Sequence, residues 1–173
     1  MKIMKAEWLS WFFNIAHAVA SKSRCQRAQV GCLLVRDKKI VAVGYNGVMR
    51  GSAKHCDDSG CVLDHTNSHC ISVHAEQNCI ATAAQLGVST EGATAFVTLE
   101  PCIRCAQILV NAGIRAVYFD KYYKEEGRET IAASPFGREF SDPVLANLLY
   151  NSKYVDIWSF WNYVNPERLD LTS

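Results

Sequence analysis

Apolar residues near the N-terminus recur at the spacing of an amphipathic helix. Within residues 8–20 one face carries the apolar side chains Trp8, Phe12, Ile15, Ala16 and Val19. Two nearly continuous apolar runs follow, 30–35 and 40–45, and the polar residues 37–39 separate them. Such runs are typical of strands covered on both faces. The pattern therefore predicts a β-hairpin with helices packed on both sides.

A polar segment interrupts this pattern before the next helix. Residues 46–73 are rich in Gly, Ser, Asp, His and Cys and show no period, which predicts a long loop that needs something to hold it in place. From His74 the spacing is helical, and Gly87 is the expected stop. One face of this helix is predicted to carry Cys79, Ile80, Ala83 and Leu86.

The following residues predict a β-α-β unit. Residues 93–98 have the apolar character of a strand, and 115–119 predict the next one. Between them Pro101 is suited to the first position of a helix, which Gly113 ends. Beyond residue 123, 143–150 has a helical pattern and 154–158 that of a strand, while the rest of 124–173 carries no clear signal.

Length and composition fit one globular domain spanning residues 1–173. The chain is 49% hydrophobic and 20% charged, which excludes disordered and fibrous classes. Eighteen Lys and Arg against seventeen Asp and Glu leave a net charge of +1. A polynucleotide binder usually carries a basic surplus, so we expect no nucleic-acid partner, and any anionic ligand should be small.

The N-terminus has some features of a secretory signal, because a basic start precedes an apolar run. Glu7 lies within the basic region, however, and Ser10, Asn14 and His17 interrupt the run. No stretch approaches the ~18 apolar residues of a membrane span. We therefore expect a cytoplasmic protein without a membrane partner.

Eight cysteines indicate metal binding, because a reducing compartment disfavours disulfides. One group in the polar segment contains Cys56, Cys61, Cys70, His55, His65 and His69, and Cys102 and Cys105 form a separate Cys-x-x-Cys. Cys32 and Cys79 are expected to be buried, inert thiols. A disulfide-stapled secreted binder is the alternative.

Two short motifs carry the chemistry. His74-Ala75-Glu76 and Pro101-Cys102-Ile103-Arg104-Cys105 each open a predicted helix, and together they fit the His-x-Glu and Pro-Cys-x-x-Cys signature of zinc deaminases. His74, Cys102 and Cys105 supply three zinc ligands, which leaves the fourth position for water. Glu76, which is not a ligand, is suited to accept a proton from that water and return it to the substrate.

On these motifs the chain resembles the cytidine deaminase-like zinc hydrolases and, within them, the deoxycytidylate deaminases. The resemblance runs from about residue 8 to Tyr123 and includes Gly44-Tyr45-Asn46-Gly47 and Cys56-Asp57-Asp58. It implies a three-layer α-β-α sandwich with a five-stranded mixed sheet. It also implies hydrolysis of dCMP to dUMP and ammonia, which supplies dUMP for thymidylate synthesis, in a homohexamer activated by dCTP and inhibited by dTTP with Mg²⁺.

The same resemblance implies roles for substrate-binding residues. Asn46 would hold the sugar hydroxyl, and the backbone N–H groups of Ala75 and Glu76 would read the pyrimidine. Arg27 would meet the phosphate, and Tyr123 would cover the base. The alternatives are a turn role for Asn46, a solvated surface charge for Arg27, and plain packing for Tyr123.

Some members of the family hold a second, structural zinc, whose positions match Cys25, Cys56, Cys61 and His69 best. His55, His65 and Cys70 are rival ligands in the same loop. A triphosphate site is predicted after Asn46, because Arg50 offers a phosphate partner and Asp57 and Asp58 offer Mg²⁺ ligands.

Other functions compete with this prediction. The rival enzymes are deaminases of free nucleosides, of guanine or of adenosine in transfer RNA. Outside enzymes the chain would be an inactive, zinc-stabilised interaction module, but such a module has no use for a carboxylate such as Glu76 beside an open metal site.

Overall fold

The structure, a computed structural model, describes residues 6–56, 62–63, 71–121 and 154–156. Its helices are α1 (Ala6–Ala20), α2 (Ala75–Leu86) and α3 (Ile103–Asn111). Its strands are β1 (Gly31–Arg36), β2 (Lys39–Tyr45), β3 (Thr94–Leu99), β4 (Ala116–Lys121) and β5 (Tyr154–Asp156). The predicted helix over 143–150 lies outside the described residues.

The five strands form one mixed sheet in the order β2-β1-β3-β4-β5. β3 and β4 run parallel, and the other neighbouring pairs run antiparallel. Because β3, α3 and β4 follow one another in the chain, the predicted β-α-β unit is confirmed. Parallel strands end at the same edge of a sheet, so the segment that follows β3 starts beside the end of β4.

Side chains alternate between the two faces of the central strands, and helices cover both faces. On one face α1 buries Phe12 and Ala16 against Leu33, Phe96 and Tyr118. The other face contacts α2 and α3, with a core formed mainly by Cys32, Leu34, Val97, Val117, Ala75, Cys79, Ala83 and Leu109. The predicted three-layer α-β-α sandwich is therefore confirmed, as is the burial of Cys32 and Cys79.

Strand β2 differs from the prediction that both hairpin strands are covered on two faces. β1 is buried along nearly its whole length, whereas Val43 and Tyr45 of β2 are exposed. The reason is position, since β2 is the edge strand of the sheet. Its other face packs closely on α2, where a Cβ on Gly44 would overlap the backbone of Cys79 and Ala75.

The end of α2 follows the predicted stop signal, but α3 begins two residues later than predicted. Gly87 ends α2 with a left-handed φ of 66°, and its N–H donates to the carbonyls of Ala83 and Ala84. Leu86, predicted in the buried face, is 64% exposed because it occupies the last position of the helix. Pro101 lies two residues before α3, whose N-cap is Cys102. Among the described helices none has both the length and the apolar character to cross a membrane.

Candidate metal centre and active site

The start of α2 and the start of α3 place the predicted metal ligands. His74 and Cys102 are the residues immediately before the two helices, and both have extended backbone conformations. Cys105 lies one turn into α3. Helix N-termini favour negative charge, so this placement favours a thiolate at Cys102, the residue that caps α3. The backbone N–H of His74 donates to Gln77 Oε1 at 2.9 Å, which closes the first turn of α2.

Three ligand atoms converge between these helix starts. His74 Nδ1 lies 3.6 Å from Cys102 Sγ and 3.4 Å from Cys105 Sγ, and all three atoms are within 4.8 Å of one another. Within the described ranges no other group of three His, Cys, Asp or Glu side chains converges in this way. Two thiolates and one imidazole at such separations suit Zn²⁺. His74 is exposed and Cys105 is buried, so the cluster faces solvent on one side.

The two cysteines differ in how easily they ionise. The pKa of the Cys102 thiol is lowered to about 3, because its thiolate accepts hydrogen bonds from Cys105 and from His74. The same hydrogen bond with Cys102, together with burial, raises the pKa of Cys105. Cys102 is thus already in the form that a metal requires, whereas Cys105 must lose its proton when a metal binds.

Glu76 is a buried carboxyl group beside this cluster. Its side chain is 3% exposed, and burial raises its pKa to about 7, although hydrogen bonds with its own N–H and with Cys105 act in the opposite direction. A carboxyl group that titrates near neutral pH is suited to both accept and return a proton. The structure therefore places the predicted proton carrier against a ligand of the metal cluster.

The Gly-Tyr-Asn-Gly segment is tied to the start of α2. Gly47 and Val73, the residue before His74, exchange two backbone hydrogen bonds of 3.1 and 2.8 Å. Asn78 of α2 donates from Nδ2 to the carbonyl of Tyr45 at 2.8 Å. Sequence reasoning missed this role of Asn78, because it depends on contact between segments 33 positions apart.

The side chain of Asn46 bonds to the backbone that follows Arg27. Asn46 is 8% exposed, and its side chain bonds to the backbone of Ala28 and of Val30 at 2.8 Å each. Arg27 is exposed. It lines a cavity of about 510 Å³ bounded by Ser23, Arg24, Cys25, Gln26, Arg27, Ala28 and Gln29.

The remaining predicted site residues are only partly described. Cys25 and Cys56 are buried free thiols, and Cys56 Sγ lies 3.7 Å from Ser72 Oγ. Arg50 is exposed. Outside the described residues lie Cys61, His69, Asp57, Asp58 and Tyr123, together with the rival ligands His65 and Cys70.

Comparison with known proteins matches this chain to one family. The model of the cytidine and deoxycytidylate deaminase zinc-binding region matches residues 6–121. ComE operon protein 2 of Bacillus subtilis is 40% identical over 122 residues, which cover 69% of this chain and 62% of that protein. The chain therefore spans less than two thirds of that relative.

Two phage proteins are matched over more of their length. The deoxycytidylate deaminase of Mycobacterium phage D29 is 34% identical over 68% of this chain and 97% of its own. The crystal structure of the dCMP deaminase from cyanophage S-TIM5, in complex with dCMP and dUMP, has a TM-score of 0.62 and 30% identity, and the match covers 70% of this chain and 86% of that one.

Proposed function

The chain belongs to the cytidine and deoxycytidylate deaminase family, and from this membership we propose that it is a zinc-dependent enzyme that hydrolyses dCMP to dUMP and ammonia. The observation that carries the proposal is the convergence of His74, Cys102 and Cys105 at two helix starts with the buried carboxyl group of Glu76 beside them. Three ligands and an adjacent proton carrier are the parts that hydrolytic deamination requires.

The chain's own residues divide the work between holding metal and moving protons. His74, Cys102 and Cys105 would hold the ion; zinc with three protein ligands supplies a coordinated water with a pKa of about 7. As water adds to the ring carbon that bears the amino group, Glu76 accepts one proton from that water with its carboxylate and delivers it to the pyrimidine ring nitrogen. It then carries the second proton of the same water to the amino group, which leaves as ammonia when its bond to the ring carbon breaks. Burial of Glu76 supports this role, because burial raises the pKa of the carboxyl group and so favours the protonated form that can return a proton to the substrate.

The substrate would lie across the start of α2. The first N–H groups of a helix have no partner within the helix, which supports base recognition by the backbone of Ala75. The N–H of Glu76, the other expected base contact, bonds with its own carboxyl group in this structure. Asn46 would contact the sugar hydroxyl, Arg27 the phosphate, and Tyr123 would cover the base. The exposure of Arg27 supports its availability to a substrate phosphate.

A panel of substrates tests the proposal. Ammonia release is measured for dCMP, deoxycytidine, cytidine, adenosine and guanine with the zinc-loaded protein. We expect dCMP to have the highest kcat/KM. A higher value for any other compound would reject the dCMP assignment, and no release from any of them would favour an inactive interaction module.

We extend the proposal to regulation and assembly. A homohexamer would be activated by dCTP and inhibited by dTTP, with Mg²⁺ at a triphosphate site that includes Arg50, Asp57 and Asp58, and its product dUMP would feed thymidylate synthesis. The exposure of Arg50 supports its availability to a phosphate. Opposite shifts of the dCMP saturation curve by the two triphosphates are expected. If neither dCTP nor dTTP changes the dCMP saturation curve of a preparation shown to be oligomeric, the proposed regulation is rejected and the proposed deamination is not affected.

A second zinc completes the proposal. Cys25 and Cys56 are buried thiols on the two segments that such an ion would join, which supports their role as ligands. Cys61 and His69 would complete the site. This ion would anchor the polar loop after Asn46 to the end of α1.

A further inference from the structure

Asn46 makes an unusually complete set of contacts with one backbone segment. Its Oδ1 accepts from the N–H of Val30 and its Nδ2 donates to the carbonyl of Ala28, both at 2.8 Å. Its backbone N–H donates to the Val30 carbonyl at 3.1 Å. Because one partner only donates and the other only accepts, the orientation of the side-chain amide is determined by the contacts themselves.

The segment that Asn46 holds has a second anchor at its other end. Ser23 is 3% exposed, its carbonyl accepts from Gln29 Nε2 at 2.7 Å, and its Oγ accepts from the N–H of Cys25 at 3.2 Å. These contacts bring the two ends of the segment together. Asn46 then holds the returning end against the end of β2, so the backbone next to Arg27 has a defined position.

The position of Arg27 is determined mainly by this backbone segment, because its side chain is exposed. The guanidinium is exposed, and Arg27 directly precedes Ala28, whose carbonyl is held by Asn46. A long charged side chain loses rotamer freedom when it is held in one geometry. Its effectiveness toward a small anion therefore depends on where its Cα is placed relative to the metal cluster.

A continuous set of backbone bonds links this placement to the metal cluster. Asn46 directly precedes Gly47, which exchanges two hydrogen bonds with Val73, and Val73 directly precedes His74. Asn46 thus lies between the segment of Arg27 and the first metal ligand. A substitution of Asn46 would therefore change the position of Arg27 relative to the cluster without removing a charge or a metal ligand.

We propose that Asn46 is a positioning residue for phosphate recognition: by holding Ala28 and Val30 it places Arg27 at the distance from the metal centre that a nucleoside monophosphate requires. This inference rests on the proposed function. The amide keeps one N–H and one acceptor lone pair beyond these contacts, so the role is additional to a contact with the sugar hydroxyl.

A double-mutant cycle with two product ligands tests the inference. The affinities of dUMP and deoxyuridine are measured by direct binding to the zinc-loaded protein, and the ratio of the two dissociation constants defines the phosphate preference. This preference is compared among wild type, Asn46→Ala, Arg27→Ala and the double variant. Asn14→Ala, an exposed amide on α1, is the matched control.

Loss of a charge-assisted contact should lower the phosphate preference about 10- to 100-fold in Arg27→Ala. We expect Asn46→Ala to produce a loss of similar size and to have little further effect on the preference when Arg27 is already absent. Equal weakening of dUMP and deoxyuridine by Asn46→Ala would overturn the inference, because it would indicate a sugar contact alone. Additive losses in the double variant, or an unchanged preference in Arg27→Ala, would also overturn it.

Asn46→Asp separates positioning from direct contact. The carboxylate retains an acceptor for Val30 and for a sugar hydroxyl, but it has no donor for the Ala28 carbonyl. We expect deoxyuridine to bind this variant nearly as tightly as it binds the wild type, whereas dUMP binding is weakened both by the lost positioning and by repulsion between the new carboxylate and the phosphate. Loss of zinc or of folding in both variants would overturn the inference, because Asn46 would then support the metal centre itself. Absence of dCMP deamination by the wild type would reject the proposed function. The ratio of the dissociation constants of dUMP and deoxyuridine would still test the role of Asn46.

Discussion

His74 Nδ1 lies 3.4 Å from Cys105 Sγ, although 31 positions separate the two residues in the sequence. The proximity arises because α2 and α3 both start at the same side of the sheet and pack on its same face. The packing of α2 and α3 on one face of the sheet thus brings these ligand atoms together. Zinc binding at this cluster should need little rearrangement of the described backbone.

Cys102→Ala should remove the catalytic zinc and abolish deamination while leaving the fold nearly as stable. The reason is that Cys102 is half-buried and contributes to the metal cluster rather than to the apolar core. Zinc content by elemental analysis, the melting temperature and ammonia release from dCMP measure the three effects. The matched control is Cys79→Ala, a fully buried thiol of the core. It should lower the melting temperature and keep catalytic zinc. A Cys102→Ala enzyme with full zinc and activity would reject this ligand.

Cys56→Ala should lower the melting temperature and keep the catalytic zinc, the opposite of what is expected for Cys102→Ala. We expect two zinc ions per wild-type chain and one in this variant, with a clear loss of thermal stability, because structural zinc supplies about 10 to 16 kcal/mol in small zinc-finger peptides. The catalytic cluster is not altered, so its zinc should remain. One zinc per chain in a fully active wild-type preparation would contradict the prediction of a second site.

Gly44→Ala should destabilise the protein by about 1 to 3 kcal/mol, the usual range for overpacking. A Cβ at this position would overlap the backbone of α2 at Cys79 and Ala75, which cannot move aside like a flexible side chain. Chemical denaturation measures the change in the free energy of unfolding. Gly47→Ala is the matched control, because among the described residues no atom outside its chain neighbours lies within 4 Å of its Cβ position. Equal stability of the two variants would contradict the close packing of β2 on α2.

Local patterns were sufficient to predict the elements that surround the metal cluster. The helix starts at His74 and Cys102 follow from motifs only a few residues long, and Gly87 acts as a stop through its own backbone conformation. The prediction failed for β2, because an apolar run does not reveal whether a strand lies at the centre or at the edge of a sheet. That property depends on the pairing of strands far apart in the chain.

Contacts between distant segments explain what sequence reasoning missed in the candidate site. The sugar contact of Asn46 stays a prediction, but the alternative of a local turn is wrong, because its side-chain partners Ala28 and Val30 lie 18 and 16 positions away. The raised pKa of Glu76 also depends on burial that only the packed helices create. Motifs identify the chemistry of these residues, whereas tertiary packing determines their surroundings.

The central claim is that Glu76 carries protons in the hydrolysis of dCMP at a site held by His74, Cys102 and Cys105. The most direct measurement compares the rate of dUMP formation from dCMP by the zinc-loaded wild type and by Glu76→Gln, with zinc content determined in the same samples. The amide cannot accept a proton while the three ligands are untouched, so we expect equal zinc and a rate lower by at least about 10²- to 10⁴-fold. Near-wild-type turnover by Glu76→Gln, or no dUMP from a wild-type protein that holds its zinc, would contradict the claim.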